Sequence, residues 1–178
     1  MIISRTPLRI SFFSGGSDMP NFYEKEKGAA LSVTINKYIY VMMHKTPHLG
    51  IKIMYDTIEE FPDLETMQHA ITRESLKHFG IDKEVTIASI ADILAKGSGL
   101  GSSSAFTIGL VNVLANPEQH SSLVSREYLA QTAYMIEREL CKYPVGKQDQ
   151  YASAYGGMNL FEFHKDESVE IKPLTYNR

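Results

Sequence analysis

The sequence predicts a single α+β domain, and three observations carry that expectation. Segments that alternate apolar and polar residues at the strand period interleave with segments striped at the helical period. One of the strands runs through a glycine-rich loop into an apolar helix, so sheet and helix share a core. No repeat, low-complexity stretch or linker divides the 178 residues, a length that suits one domain.

The elements follow in order. Residues 2–13 read as a strand that leaves through the turn Ser14-Gly15-Gly16-Ser17-Asp18. Residues 19–27 read as a short helix, with Gly28 in the position where a glycine commonly ends one. Residues 29–45 alternate through Leu31, Val33, Ile35, Ile39 and Val41 as a long strand, and 47–50 turn it into a strand over 51–55. Residues 64–79 form an amphipathic helix stopped by Gly80, and 85–91 a strand rich in β-branched residues. Residues 102–115 and 125–140 are helices; Ser125 caps the second, whose buried stripe is Leu129, Thr132, Ala133, Ile136 and Leu140. A short helix over 146–155 leads to a hairpin of 158–163 with 169–171.

Composition narrows the function classes. Hydrophobic residues at 43% and charged residues at 22% are those of an ordinary globule. The net charge of −3 and the absence of a basic run argue against a nucleic-acid partner. No apolar segment approaches membrane-spanning length and the N-terminus lacks a signal-like apolar run, so a cytoplasmic protein without a membrane partner is expected. The one cysteine, Cys141, excludes an internal disulfide.

The chemistry concentrates in Gly97-Ser98-Gly99-Leu100-Gly101-Ser102-Ser103-Ser104-Ala105, where three alternating glycines run into three hydroxyls. Glycines let successive N–H groups turn toward one point, and the following helix adds unsatisfied N–H groups and the positive end of its dipole. A polyphosphate is the natural occupant, with Lys96 in reach of it. Many Gly/Ser stretches are plain connections, but this one joins two apolar elements. It lacks the Gly-Lys-Ser/Thr end of a Walker loop, breaks the GxGxxG fingerprint at Ser104, and is no GxSxG elbow.

On these residues the loop resembles the nucleotide-binding motif of the GHMP family of small-molecule kinases, although Ala95-Lys96 stand where that family usually carries an aliphatic residue and a proline. The resemblance implies ATP and Mg2+ as cofactors, with the phosphates held by Lys96 and by Gly97, Ser98, Gly99, Leu100, Gly101, Ser102, Ser103 and Ser104. It also implies the fold of the family's N-terminal domain: a mixed or antiparallel sheet packed against helices, with a strand, glycine loop and helix forming the cradle in chain order. Residues 5–18 are similar to the family's first motif, which implies Arg9 at the reacting phosphate and Gly15, Gly16 and Asp18 at substrate hydroxyls. From the residues alone, Arg9 is a surface cation and Asp18 a cap for the helix that starts near Met19.

Glu137 in Glu137-Arg138-Glu139-Leu140 and Asp149 in Gly146-Lys147-Gln148-Asp149-Gln150 match a further pair of family positions. The resemblance implies Glu137 and Ser103 as magnesium ligands, with Ser102 as an alternate hydroxyl. Asp149 is then the catalytic, substrate-contacting base and Arg9 its catalytic partner. By themselves Glu137 is an ordinary solvated helix glutamate near the edge of an apolar stripe, and Asp149 a helix cap or a first-turn acid that complements a helix dipole.

Residues 10–18, 99–106 and 147–157, with Asn159, resemble most the sugar-1-kinase branch, which phosphorylates the anomeric hydroxyl of sugar phosphates such as D-glycero-D-manno-heptose 7-phosphate. A small-molecule sugar phosphate is the implied partner, and a fucokinase-like enzyme the near neighbour. Arg73, Lys96 and His69 are candidates, by charge only, for a second phosphate pocket. Tyr151 and Tyr155 could stack on a sugar or fill the core. Because the family continues into a second domain, residues 1–178 are expected to form an N-terminal domain with poor turnover alone and a face open to self-association. The alternative is a non-catalytic nucleotide- or sugar-binding module; the family's ATP-dependent decarboxylases fit the sugar-like first motif less well.

Overall fold

The computed structural model describes residues 1–47, 50–93, 98–115 and 124–175, so two turn positions (48 and 49) and Lys96 and Gly97 of the loop lie outside the described residues. In chain order the elements are β1 (Ile2–Phe13), α1 (Pro20–Tyr23), β2 (Gly28–Lys45), β3 (Ile51–Met54), β4 (Ile58–Phe61), α2 (Ala70–His78), β5 (Val85–Ala91), α3 (Ser102–Leu114), α4 (Arg126–Met135), a π-helical turn (Ile136–Leu140), α5 (Gln148–Tyr155), β6 (Met158–Phe163) and β7 (Val169–Pro173).

The long strand β2 is the spine of the sheet. β1 lies antiparallel along one side of it; along the other, β5 pairs with its second half and β6 with its first. β3 joins β5 in parallel, and β4 and β7 close the two ends antiparallel to β3 and β6. This is the mixed, mainly antiparallel α+β architecture that the sequence predicts.

The alternation of β2 buries Ile39, Val41 and Met43. Against them packs α3, hydrophobic nearly all round because it lies between the sheet and other helices, with Leu110, Val111 and Leu114 in the same cluster. Gly109 makes this approach close: a Cβ there would stand 2.9 Å from Val41 Cγ2. A second cluster, Tyr23, Tyr151, Phe161 and Phe163, ties α1 and α5 to β6.

Several expectations need correction. The helix expected over 19–27 is a single turn, Pro20–Tyr23, and Gly28 begins β2 instead of ending a helix. The glycine is there for space, since a Cβ would meet the Ser17 carbonyl oxygen at 1.9 Å. The helix expected from 64 begins at Ala70, because Asp63 draws the Thr66 N–H and hydroxyl into a local turn that competes with helix, and His69 supplies the cap. The strand β4, with two glutamates in four residues and only half-burial, carries too little periodicity to be seen. Leu140, expected in the buried stripe, is 41% exposed, because the helix widens into the π-helical turn and rotates it outward.

Candidate functional site

The three motifs converge at the N-terminal end of α3. A register shift between Pro7 and Arg9 against β2 breaks the alternation of β1, so neighbouring Leu8 and Arg9 are both buried. Arg9 is therefore no surface cation. Its N–H donates to the Leu100 carbonyl at 3.1 Å and its Nη1 to the Gly99 carbonyl at 2.8 Å. Through Nε and Nη2 the same guanidinium donates to Asp149 Oδ1 at 2.8 and 2.6 Å. One rigid fork thus holds the glycine loop and the first turn of α5 together. The Asp149 side chain remains 31% exposed, open to a ligand.

Gly99 and Gly101 take φ of +69° and +73°, the left-handed region that favours glycine. A Cβ on Gly101 would also crowd the Arg9 side chain at 3.3 Å. Gly101 leads into α3 with no side-chain cap and no acid in the first turn, leaving the N–H groups of Ser102, Ser103 and Ser104 for an anion. Ser98 Oγ lies 3.2 Å from Ser102 Oγ. The Ser104 hydroxyl turns the other way, into the core.

That hydroxyl donates to Glu137 Oε2 at 2.9 Å. Glu137 is fully buried in the π-helical turn and also accepts from Thr107 Oγ1 at 2.5 Å and Gln150 Nε2 at 2.5 Å, with Ser103 Oγ at 3.5 Å. Burial pushes its carboxyl above the usual glutamate value, while the hydroxyls of Thr107 and Ser104 and the Gln150 amide pull against it. Of the four partners only Ser103 is exposed. A carboxylate and a hydroxyl this close are hard oxygen donors of the kind magnesium takes, so Glu137 and Ser103 fit that ion. The sequence reading missed Thr107 and Gln150; the legible signal was two hydroxyls, 104 and 107, three apart in a stretch, 104–111, that is otherwise apolar.

Asp18 is a cap, but of a different helix from the one expected. The residue leading into α1 is Met19, with no side-chain cap, whereas Asp18 Oδ2 accepts the N–H of Gln148 at 3.1 Å and its carbonyl accepts that of Lys147 at 3.2 Å. Ser14 Oγ donates to the remaining oxygen at 3.3 Å. Gly146 permits this contact, for a Cβ there would lie 2.0 Å from Asp18 Oδ2. Gly15 and Gly16, both with positive φ and exposed, leave the turn beside Asp18 open. The Lys147 ammonium, buried over the Tyr23 ring and bonded to Glu167, fixes the start of α5 from the other side.

The remaining candidates serve the fold. His69 caps α2 through Nδ1, and burial lowers its pKa; Arg73 donates to Glu74 and to the Met67 carbonyl. Tyr151 and Tyr155 stack on each other at 6.1 Å and both donate to Glu127, which favours core packing. Glu162, His164 and Glu170 cluster away from these residues, but Glu162 is already paired with Lys27 and Lys172.

Residues 65–157, the span from the approach to α2 through the glycine loop, Glu137 and α5, match the model of the GHMP kinases N terminal domain. The chain belongs to the GHMP kinase family. Among GHMP kinases it is similar to the D-glycero-alpha-D-manno-heptose 7-phosphate kinase of Campylobacter jejuni subsp. jejuni, 32% identical over 191 aligned residues that take in 97% of this chain and 54% of the relative. The crystal structure of a D-glycero-D-manno-heptose 1-phosphate kinase from Bacteriodes thetaiotaomicron superposes with a TM-score of 0.85 at 28% identity, covering 99% of this chain and 61% of that one. Streptococcus pneumoniae phosphomevalonate kinase, at 15% identity and a TM-score of 0.75 over 97% of this chain and 59% of that one, shares the GHMP fold. The chain spans about half the length of the curated relative it matches. No helix among the described residues is long and apolar enough to cross a membrane.

Proposed function

We propose that this chain is the ATP- and substrate-binding N-terminal domain of a kinase that phosphorylates the anomeric hydroxyl of a sugar phosphate, with D-glycero-D-manno-heptose 7-phosphate as the first candidate. The observation that carries the proposal is the double engagement of Arg9, whose guanidinium donates both to the Asp149 carboxylate and to the carbonyl of Gly99 in the phosphate loop. A general base so placed stands beside the γ-phosphate of a nucleotide cradled by the loop. The similarity to heptose phosphate kinases supports the choice of sugar.

In this reading the N–H groups of Ser102 to Ser104 hold the phosphates, and Asp18, Gly15 and Gly16 receive the sugar hydroxyls. Asp149 accepts the proton of the attacking hydroxyl while its oxygen bonds to the γ-phosphorus and the bond to the bridging oxygen of the departing ADP breaks. Arg9 offsets charge on the transferring group. Magnesium, held by Glu137 and Ser103, would supply charge neutralisation on the phosphate oxygens.

ATP consumption with magnesium, screened against heptose 7-phosphate, fucose, galactose and mevalonate, tests the proposal. Turnover on the heptose phosphate that falls by about 10²–10⁴ in Asp149→Asn supports it. Nucleotide binding with no turnover on any acceptor would mean a domain that is catalytically incomplete by itself, and failure to bind nucleotide would overturn the whole reading.

A further inference from the structure

Two buried polar side chains of α5, Gln150 and Ser153, each carry an oxygen with no hydrogen-bond partner among the described residues, and of the two Gln150 is the one bonded to Glu137. Gln150 is fully buried, and its Nε2 donates to Glu137 Oε2 at 2.5 Å. Its other amide atom, Oε1, is buried with no hydrogen-bond partner among the described residues. Reversing the amide would press a carbonyl oxygen against a carboxylate, so Glu137 dictates the orientation. Buried amides in a merely structural role are ordinarily satisfied at both ends. Here the fold leaves an acceptor bare and keeps the donor on Glu137.

That donor completes a directional set. Ser104 and Gln150 occupy Oε2, Thr107 occupies Oε1, and all three are buried. The remaining approach to Oε1 is from Ser103, the exposed hydroxyl 3.5 Å away. Three donors thus fix the carboxylate plane with one lone-pair direction turned to the open side of the site. Gln150 is also the neighbour of Asp149, and at about 100° per residue α5 directs one side chain to Arg9 and the next to Glu137.

We infer that Gln150 is a positioning residue for the metal carboxylate: its amide aims Glu137 at a divalent cation shared with Ser103, and ties the placement of that cation to the helix that carries Asp149. The inference rests on the assignment of Glu137 as a metal ligand. Partners that orient a ligating group commonly change metal affinity by about 10- to 100-fold when removed.

The test is binding, not turnover. The affinity of the chain for the non-hydrolysable nucleotide AMPPNP is measured calorimetrically in EDTA and across a Mn2+ titration, with bound Mn2+ followed by electron paramagnetic resonance, for wild type, Gln150→Leu and the volume-matched Gln150→Met. The expected result is a rise of about tenfold or more in the Mn2+ concentration at half-saturation in the variants, with metal-free nucleotide affinity kept within about twofold. A merely structural role would lower the melting temperature or weaken both affinities together, and would leave the metal-dependent increment unchanged. An unchanged Mn2+ midpoint in either folded variant overturns the inference. A wild type whose nucleotide binding ignores Mn2+ overturns the metal assignment itself, and the inference with it.

Discussion

Substituting Gly146 by alanine tests the tether between the Ser14–Asp18 turn and α5. The new Cβ would lie 2.0 Å from Asp18 Oδ2, 2.4 Å from Cγ and 2.9 Å from Oδ1, so the carboxylate must leave its place. Leaving forfeits the bond to the Gln148 N–H at 3.1 Å, a capping contact worth about 0.5–2 kcal/mol. Relieving the overlap adds about 1–3 kcal/mol. The sum, about 1.5–5 kcal/mol, corresponds to a fall in melting temperature of roughly 3 to 20 °C for a domain of this size. A double-mutant cycle with Asp18→Ala isolates the cause. Once the carboxylate is gone the same alanine has little to strike, so Gly146→Ala should cost less than about 0.5 kcal/mol in that background, giving a coupling energy of about 1–5 kcal/mol. Urea denaturation of the four proteins measures it. Equal costs in both backgrounds would refute the reasoning and place the strain in the backbone of 145–147.

Three further outcomes are expected. Arg9→Lys keeps the charge and loses the fork, so phosphoryl-transfer rate should fall by about 10²-fold while the Kd for nucleotide, measured calorimetrically, changes little. Glu137 protonates in the folded protein above the ordinary 4.5, so its contribution to stability is full below that value and is lost as pH rises through the raised pKa. Metal binding needs the ionised form and runs oppositely: Mn2+ affinity should decline on acidification with a midpoint above 4.5, and a midpoint at or below 4.5 contradicts the assignment. Gly109→Ala should destabilise the domain by about 1–3 kcal/mol in urea, because its Cβ would press on Val41 Cγ2 and Thr6 Oγ1.

Periodicity sufficed for β1, β5 and β6, whose bounds agree with the expected ones, since each alternates or is bounded by turn residues. It did not find Glu137, which by pattern is a solvated helix glutamate at the edge of the stripe and in the structure is fully buried in the π-helical turn. It failed at Leu140, where backbone geometry and not side-chain pattern changes the phase, and at Gly28 and Gly146, whose reasons lie in neighbours remote in sequence. Arg9 shows the same limit: by alternation it belongs outside, and a bulge that no local residue announces turns it in. Asp18 was legible as a cap, but its helix begins 130 residues later. The family motifs brought the site residues to attention; the hydrogen bonds that join them depend on contacts no single-sequence pattern contains.

The position of β1 bears on how the molecule behaves in concentrated solution. Among the described residues this twelve-residue strand pairs with β2 alone, and an edge of that length can template strand addition and aggregation. Three features blunt it: Pro7 has no N–H to offer, the Arg9 N–H is taken by Leu100, and register shifts at Pro7/Arg9 and Ser11/Phe13 bend the ladder away from a straight template. Phe12 and Phe13, 53% and 73% exposed, stay uncovered beside that guarded backbone. Association along β1 would then run through aromatic side chains instead of extending the sheet, so mild detergent would reverse it and raised salt would strengthen it.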